Sequence, residues 1–426
     1  MKKYHLISLG CPKNLVDSEK FASNIEKANF LHTDNIEEAE TIIINTCGFI
    51  LDAKEESIQT ILEAAEAKEK GTCKQLIVTG CLVQRYLDDL QNSIPEVDHF
   101  IDLKDFDTFA NLLEIKKSDK RKLLTPNHYA YLRISDGCDN HCSYCAIPSI
   151  RGRFKSEKID KLVSETIELT KQGVKEIIIT AQDTAMYGKD IYKKDSLVEI
   201  LKRIDEIEQI EWIRLLYLHP AHITDEILNA FNELPKLIPY FEMPLQHINN
   251  EILASMNRKV SKERIIEIIE NIRNNIPNAV IRTTFIVGYP GESEENFQEL
   301  KEFIKEQRFE RLGVFTYSPE ENTKAFDLPN QISEEIAESR KDELMMIQQD
   351  ISADFLAHQI GKVHEVIIDK VSEESDFSFE GRTYFDSPEI DGVVFITDKD
   401  AEIGKIYQVE IIDSWEYDLV GKIIKK

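Results

Sequence analysis

The chain has 426 residues, 42% of them hydrophobic, and a formal net charge of −26. Because this length exceeds one ordinary core, we expect a folded protein of two or three domains. The longest uncharged run, residues 41–51, is far shorter than the roughly 20 residues of a membrane span. The apolar run 4–9 is shorter than the about 7–15 residues of a signal-peptide core, so we expect a cytoplasmic protein. An acidic surface repels nucleic acid and attracts basic proteins.

The first predicted domain covers residues 1–117. Short apolar runs at 4–9, 41–45 and 75–79 alternate with helical patterns at 17–28, 53–69 and 83–90. This alternation is typical of βαβ units, so it predicts an α/β domain with a doubly wound parallel sheet. A charged linker at residues 116–122 ends the domain.

The second predicted domain covers residues 125–358 and repeats the alternation of strands and helices. Six successive strand–helix units fit an incomplete or full (β/α) barrel, which a polar helix at residues 333–355 closes. The strands are expected at 131–135, 176–181, 212–217, 240–243, 280–287 and 312–316, and the helices at 159–171, 196–207, 262–274 and 294–306.

The third predicted domain covers residues 359–426, where the alternation of strands and helices gives way to short β-rich runs. Short β-rich runs at 362–368, 377–384, 393–397 and 406–412 are separated by Gly, Asp and Pro, which predicts a small antiparallel β-barrel or sandwich. The domain carries 16 Asp and Glu against 8 Lys and Arg, a net charge of −8.

Seven cysteines without an expected export signal favour metal or redox use over a disulfide framework. Three of them form the run Cys138-x3-Cys142-x2-Cys145, which follows a predicted strand and Gly137. Three thiolates this close together hold one side of an iron–sulfur cubane and leave the fourth iron open. Zinc is the alternative, with His141 as the fourth ligand that a structural zinc site requires.

A second set of cysteines lies at the ends of predicted strands. Cys11, Cys47 and Cys81 each follow one of the first domain's apolar runs. Since the carboxyl ends of parallel strands share one edge, we expect these cysteines to converge on a second metal centre. The alternative is three unrelated cysteines packed as small hydrophobic residues. Cys73 fits neither set and is expected to be structural.

Further candidates follow strands of the predicted barrel, where active-site loops of such barrels lie. The turn 288–292 is expected to approach a cofactor through its backbone, although a plain turn before a helix remains the alternative. Tyr144, beside the last cysteine of the run, is expected either to cover a cofactor or to pack. His247 is more simply explained as structural. The candidates at these positions are Tyr144, Gln182, Asp183, Gln246, His247, Gly288, Gly291 and Glu292.

Cys138, Cys142 and Cys145 match the signature of radical S-adenosylmethionine (SAM) enzymes. With Cys11 and the other two strand-end cysteines in a preceding domain, and a small β domain that resembles a TRAM domain, the chain resembles the methylthiotransferase branch. The resemblance implies a 4Fe–4S cluster that binds SAM at the run, and an auxiliary 4Fe–4S cluster, the sulfur carrier, at the strand-end cysteines. It also implies an electron donor such as flavodoxin or ferredoxin.

Within that branch, five motifs resemble the ribosomal-protein methylthiotransferase (RimO) family: SLGCPKNLVDSE, AQDTAMYG, MPLQH, TTFIVGYPGE and GVFTYSPEENTKAF. Tyr144 and Tyr289 stand where Phe is expected. This resemblance implies methylthiolation of the β-carbon of an aspartate in small-subunit ribosomal protein twelve, a basic substrate that suits the acidic third domain. The alternatives are a tRNA adenosine methylthiotransferase, which would need a basic third domain, and a non-catalytic metal-binding adaptor on the ribosome.

Overall fold

A parallel sheet with helices on both faces forms the first domain. The computed structural model describes residues 1–103, 105–115, 118 and 120–424, and residues 116, 117 and 119 of the expected linker lie outside the described residues. The elements are β1 Lys2–Ser8, α1 Pro12–Lys27, β2 Phe30–His32, β3 Thr41–Thr46, α2 Leu51–Lys70, β4 Gln75–Gly80, α3 Cys81–Ser93, β5 His99–Ile101 and α4 Phe106–Leu112.

Side-chain alternation along the strands explains why this sheet is covered on both faces. The strand order is β2-β1-β3-β4-β5, and every pair is parallel. Ile42 and Ile44 of β3 belong to the core under α2 and α3, whereas Ile43 belongs to the core under α1 and α4. Both faces are therefore apolar, as in the doubly wound sheet that the sequence predicts.

The second domain is a partial (β/α) barrel. Its six-stranded sheet has the order β13-β12-β11-β10-β9-β6, so the first and last strands remain edges and the barrel does not close. The elements are β6 Tyr129–Arg133, β7 Ser135–Asp136, α5 Ile147–Ile150, β8 Lys155–Ser156, α6 Ile159–Thr170, β9 Glu176–Thr180, α7 Leu197–Asp205, β10 Trp212–Leu215, α8 Asp225–Glu233, β11 Leu237–Gln246, α9 Asn250–Ser255, α10 Lys262–Asn275, β12 Val280–Val287, α11 Glu294–Gln307, β13 Arg311–Thr316 and α12 Glu334–Ala357.

All six predicted barrel strands are present, and the largest difference is at β11. This strand continues past its predicted end through Pro244 to Gln246, and its register against β12 shifts between Met243 and Gln246. Proline cannot donate to the sheet, so a strand that contains one requires such an irregularity. Gln246 has a φ of 75°, which turns the chain at the end of the strand.

The third domain is a closed five-stranded barrel of order β14-β15-β16-β18-β17. The small antiparallel barrel that the sequence predicts is confirmed: four of its five strand pairs are antiparallel, and β16 and β18 run parallel. A closed ring with an odd number of strands cannot alternate direction at every step, so at least one parallel pair is required. The strands are β14 Val363–Val371, β15 Phe379–Arg382, β16 Val394–Ile396, β17 Ile406–Ser414 and β18 Leu419–Ile423.

Buried charges join the third domain to the amino ends of the second domain's strands. Glu176, the first residue of β9, accepts hydrogen bonds from Arg214 Nε at 2.8 Å and from Arg382 Nη2 at 2.9 Å. Arg382 also donates to Asp369 at 2.7 Å, and His128 contacts the same carboxylate. Burial would raise the pKa of Glu176, but the two arginines hold it below its usual value. The carboxyl ends of the strands are thereby left for other contacts.

In the part of the chain that the structure describes, we find no helix with the length and apolarity needed to cross a membrane.

Replacing Arg382 with Met tests the buried network. The substitution leaves Asp369 and Glu176 short of a cation, so we expect a loss of about 3–5 kcal/mol in the free energy of unfolding, measured by urea denaturation. Lys370→Met is the control, because Lys370 is exposed and pairs with Glu380 at 3.2 Å, which is worth about 0–1 kcal/mol. Equal losses in the two variants would contradict a network that joins the domains.

Candidate active site

The cysteine run forms a loop between β7 and α5 that backbone hydrogen bonds hold in place. Cys138 N donates to Gly152 O at 3.1 Å, and Ser143 N donates to Met256 O at 3.0 Å. Gly137, with a φ of +73°, has no room for a side chain, because a Cβ there would lie 2.2 Å from Arg153 O. The loop is therefore fixed from both sides before any metal binds.

The environment of the loop cysteines is partly buried and cationic. Burial raises the pKa of Cys138 to about 11 and the pKa of Cys145 to about 12. Arg258 Nη1 lies 3.5 Å from Cys142 Sγ and donates to the Tyr144 hydroxyl at 3.3 Å. Because metals bind cysteine as thiolate, the positive charge of Arg258 beside Cys142 Sγ favours the ligand form of this sulfur.

The structure brings Cys11, Cys47 and Cys81 to one edge of the first domain's sheet. Cys11 caps α1 just after β1, Cys47 follows β3, and Cys81 begins α3 directly after β4. These three strands are adjacent in the sheet. A Cβ at Gly10 would lie 2.8 Å from Cys47 Cβ, so the segment that carries Cys11 packs directly on Cys47.

The pKa values of these three thiols also reflect how close they lie to one another. Burial raises the pKa of Cys81 to about 11, and negative charge on Cys11 and Cys47 raises it further. Burial also acts to raise the pKa of Cys11, but the charges of Lys13 and Arg151 bring it below its usual value. Cys73 lies at the other end of β4, where its Sγ contacts Gln75 O at 3.3 Å.

A zinc ion and a cluster place different requirements on the donor atoms of the two triads. A tetrahedral zinc ion with Zn–S bonds of about 2.3 Å places sulfur atoms about 3.8 Å apart. Among the described residues, neither cysteine triad has all three sulfur atoms within 4.8 Å of one another, and His141 completes no such group. In an iron–sulfur cubane each thiolate binds a different iron, so the sulfur atoms need not lie this close. Three cysteines are also one ligand fewer than a structural zinc site requires, whereas they are the donor set of a cubane with one open iron.

The segments that carry the two triads pack together at the seam between the first two domains. Ala146 and Ile150, which follow the cysteine loop, pack directly on Cys81. Arg151 bonds Asn14 Oδ1 and donates to Asp17 Oδ2 at 2.9 Å, so it links α5 to α1. The helix that follows the cysteine loop is thus in direct contact with the domain that carries the other triad.

The residues after β9 and β10 contact the cysteine loop. Gln182 Nε2 donates to Asp136 Oδ1 at 3.1 Å. The fully buried Asp183 accepts from Asn140 Nδ2 at 2.7 Å and contacts His222 Nδ1 at 2.6 Å. His219 completes a group whose ligand atoms lie within 4.8 Å of one another. Sequence reasoning missed both histidines, although their position after a barrel strand was a usable signal.

A buried carboxylate, that of Glu292, holds the turn 288–292 in place. Glu292, which is 1% exposed, accepts from the Gly288 N–H and from Arg340 Nη1, the latter at 3.0 Å. His247 is fully buried and contacts Glu292 Oε1 at 3.4 Å. The carboxylate therefore stabilises the turn from inside the protein. Gly291, with a φ of +85°, has open space around it and is the part of the turn that a ligand can approach.

Tyr144 and Gln246 lie at the edges of this arrangement. The Tyr144 ring packs beside Ile252, Met256 and Tyr289. Tyr289 hydroxyl lies 2.8 Å from Ser143 Oγ, so it contributes a hydrogen bond to the loop that Phe would not make. Gln246 ends β11 at the bulge.

Family models match each of the three domains. Residues 3–102 match "Uncharacterized protein family UPF0004", residues 132–304 match "Radical SAM superfamily", and residues 360–424 match "TRAM domain".

Solved structures show the fold at low sequence identity. The methyltransferase TsrM from Kitasatospora setae, a radical S-adenosylmethionine enzyme, has a TM-score of 0.55 at 12% identity, covering 74% of this chain and 73% of that one. The cobalamin-dependent enzyme OxsB has a TM-score of 0.51 at 11% identity, covering 82% and 56%.

Curated relatives match over almost the whole chain. A protein of Bdellovibrio bacteriovorus is 45% identical, covering 99% of this chain and 98% of its own length. One of Aquifex aeolicus is 48% identical, covering 99% and 97%. Both are named "Ribosomal protein uS12 methylthiotransferase RimO".

Fold, cysteine loop and domain order together define a radical SAM methylthiotransferase, an enzyme that uses a 4Fe–4S cluster and SAM. At this identity and coverage the chain belongs to the RimO family of methylthiotransferases.

Replacing Glu292 with Ala tests whether this carboxylate holds the turn. Arg340 and the Gly288 N–H lose a buried partner, so we expect the free energy of unfolding to fall by about 3 kcal/mol, measured by urea denaturation. Glu294→Ala is the control, because Glu294 is exposed and its loss should stay within about 0.5 kcal/mol. A Glu292 variant as stable as this control would show that the turn does not depend on the carboxylate.

Proposed function

We propose that this enzyme methylthiolates the β-carbon of an aspartate in small-subunit ribosomal protein twelve (uS12). One observation carries the proposal: two cysteine triads, each one ligand short of closing a cluster, lie on segments that pack together at one seam. Such an arrangement suits a reaction that needs both a radical source and a sulfur source beside the same carbon. The substrate named for the curated relatives supports the assignment to a ribosomal protein.

The cysteines divide between two 4Fe–4S clusters. Cys138, Cys142 and Cys145 would hold the cluster that binds SAM, and Cys11, Cys47 and Cys81 would hold the auxiliary cluster. Bound there, a reduced cluster and SAM would supply the radical chemistry that an unactivated carbon requires, and the auxiliary cluster would supply sulfur. A methylene C–H is too weakly acidic for any side-chain base, so the reaction depends on these cofactors. The electrons come from a small carrier such as flavodoxin or ferredoxin.

The protein's own residues position and stabilise the two donor sets. Arg258 at Cys142 offsets negative charge at the loop, as Lys13 and Arg151 do at Cys11. Asn140, held by Asp183, fixes the loop between Cys138 and Cys142. Such partners orient ligands and tune a metal centre from outside its coordination sphere.

The charge of the third domain favours a protein substrate. A tRNA-binding β domain neutralises phosphates with Lys and Arg. This domain has 16 acidic and 8 basic residues, so it repels nucleic acid and attracts a lysine- and arginine-rich ribosomal protein.

The function is tested by anaerobic reconstitution with iron and sulfide, followed by SAM, a strong reductant and either purified uS12 or tRNA. We expect 5′-deoxyadenosine and a methylthio group on one aspartate of uS12, both detected by mass spectrometry. Cys11→Ala should abolish the methylthio product, and Cys138→Ala should abolish SAM cleavage as well. Modification of tRNA alone would contradict the assignment of uS12 as the substrate. Full iron loading without SAM cleavage would contradict the enzymatic function and favour a metal-binding adaptor.

Replacing Gly10 with Ala tests the auxiliary site through its metal content. The added methyl group would meet Cys47 Cβ at 2.8 Å and Cys47 Sγ at 2.9 Å, so it displaces one ligand. We expect iron to fall from about eight to about four atoms per chain, as two 4Fe–4S clusters become one. Gly361→Ala has a similar positive φ but open space, so it shares the backbone strain without the clash and should retain all iron. Full iron in both variants would rule out a cluster at Cys47.

A further inference from the structure

A buried lysine lies at the seam with no carboxylate of the described residues as its ion-pair partner. Lys13 follows Cys11 by two residues on α1 and is 7% exposed. Its Nζ lies 3.4 Å from Ala181 O and 3.4 Å from the centre of the Tyr217 ring. Within the described ranges no carboxylate oxygen lies within the 4.0 Å of an ion pair with this Nζ. Buried polar groups are ordinarily fully hydrogen-bonded, and the three donors of this Nζ meet one acceptor, Ala181 O, so the group has room for a further acceptor.

Two carboxylates, those of Glu242 and Asp136, act on Lys13 through their charge, but both are bonded to other groups. Glu242 accepts from the Tyr217 N–H and lies 3.5 Å from Arg282 Nη1. Asp136 accepts from Gln182 at 3.1 Å and from Arg151 at 3.4 Å. The protein supplies acidic groups around the seam but directs them to other cations. The ammonium group of Lys13 therefore keeps its capacity for a further acceptor.

The aromatic ring that packs against this ammonium group belongs to Tyr217, whose backbone is strained. Tyr217, just after β10, has a φ of 60°, a conformation that is unfavourable for a residue with a large side chain. Its N–H donates to Glu242, and its carbonyl accepts from Thr184 N at 3.0 Å. These bonds hold the ring beneath Lys13, where it stabilises the cation without neutralising it.

The position of Lys13 places it between the two donor sets. It is two residues from Cys11 on one side. On the other side it contacts Ala181, which is followed within two residues by Asp183, the partner of Asn140 in the cysteine loop. A substrate carbon that meets both clusters must lie in this same space.

We propose that Lys13 binds the side-chain carboxylate of the substrate aspartate. The inference rests on the proposed function and names the group that selects its substrate. The β-carbon of aspartate is bonded directly to the carboxyl carbon, so an ion pair at the carboxylate fixes the reacting carbon one bond away. Ala181 O and the Tyr217 ring hold Nζ in position for the incoming carboxylate. Holding a reactant in this way raises rate through orientation.

The test compares two forms of uS12, one with the natural aspartate and one with Asn at that position, on wild-type enzyme and on Lys13→Met. Wild-type enzyme should prefer the aspartate form by about 10- to 100-fold in kcat/KM, since a charged hydrogen bond is lost with Asn. Lys13→Met should lose activity on the aspartate form by a similar factor and show no preference. Lys13→Arg should restore part of the preference, and Lys27→Met, an exposed lysine on the same helix, should behave as wild type.

Several outcomes would overturn the inference while leaving the function standing. One such outcome is equal use of the Asp and Asn forms of uS12 by wild-type enzyme, a measurement that does not depend on whether an enzyme variant folds. A Lys13→Met enzyme that keeps the preference but loses iron or shifts the cluster's EPR signal is another, because Lys13 would then serve the cluster alone. Failure of wild-type enzyme to modify uS12 at all would instead overturn the function itself.

Discussion

The carboxyl ends of parallel strands lie at one edge of a sheet, and the whole candidate site depends on this constraint. In the first domain the constraint gathers Cys11, Cys47 and Cys81, which are separated by 36 and 34 positions of sequence. In the second domain it places the cysteine loop beside the segments after β9 and β10. The third domain binds the opposite, amino ends of these strands through Glu176. The edge that carries chemistry thus remains available to the first domain.

Ion pairs stabilise the seam between the first and second domains. Burial would raise the pKa of Asp17, but Arg133 and Arg151 hold it well below its usual range. A carboxylate with a lowered pKa stabilises the fold above its unfolded pKa of about 3.9, and this contribution is lost as the pH falls through the folded value. The seam is therefore fully formed at neutral pH. Arg151 links α5 to α1, so its guanidinium group helps to position the two cysteine sets relative to each other.

Sequence patterns predicted β1, β3 and β4 of the first sheet and all six strands of the second, because buried parallel strands are short apolar runs with clear ends. They also predicted that three cysteines follow strand ends, which is a local property. They missed the short strands β2, β5, β7 and β8, the strand β18 and helices α4, α5, α8 and α9. The small antiparallel barrel was predicted, but not its one parallel pair, β16 with β18, because a five-stranded ring needs at least one such pair and only the packed barrel shows which pair it is. The environments of Lys13, His219 and Glu292 were not predictable, because each depends on how separate segments pack together.

The central claim is that two clusters occupy one seam, and low-temperature EPR of the reconstituted, dithionite-reduced enzyme tests it most directly. Two reduced clusters this close should couple magnetically, so the wild-type spectrum should be broader than that of either cluster alone. Replacing Cys11, Cys47 and Cys81 together with Ala, or Cys138, Cys142 and Cys145 together, should each leave one unbroadened signal from about four iron atoms. A wild-type spectrum equal to the sum of these two signals, or loss of all signal in either variant, would contradict the account.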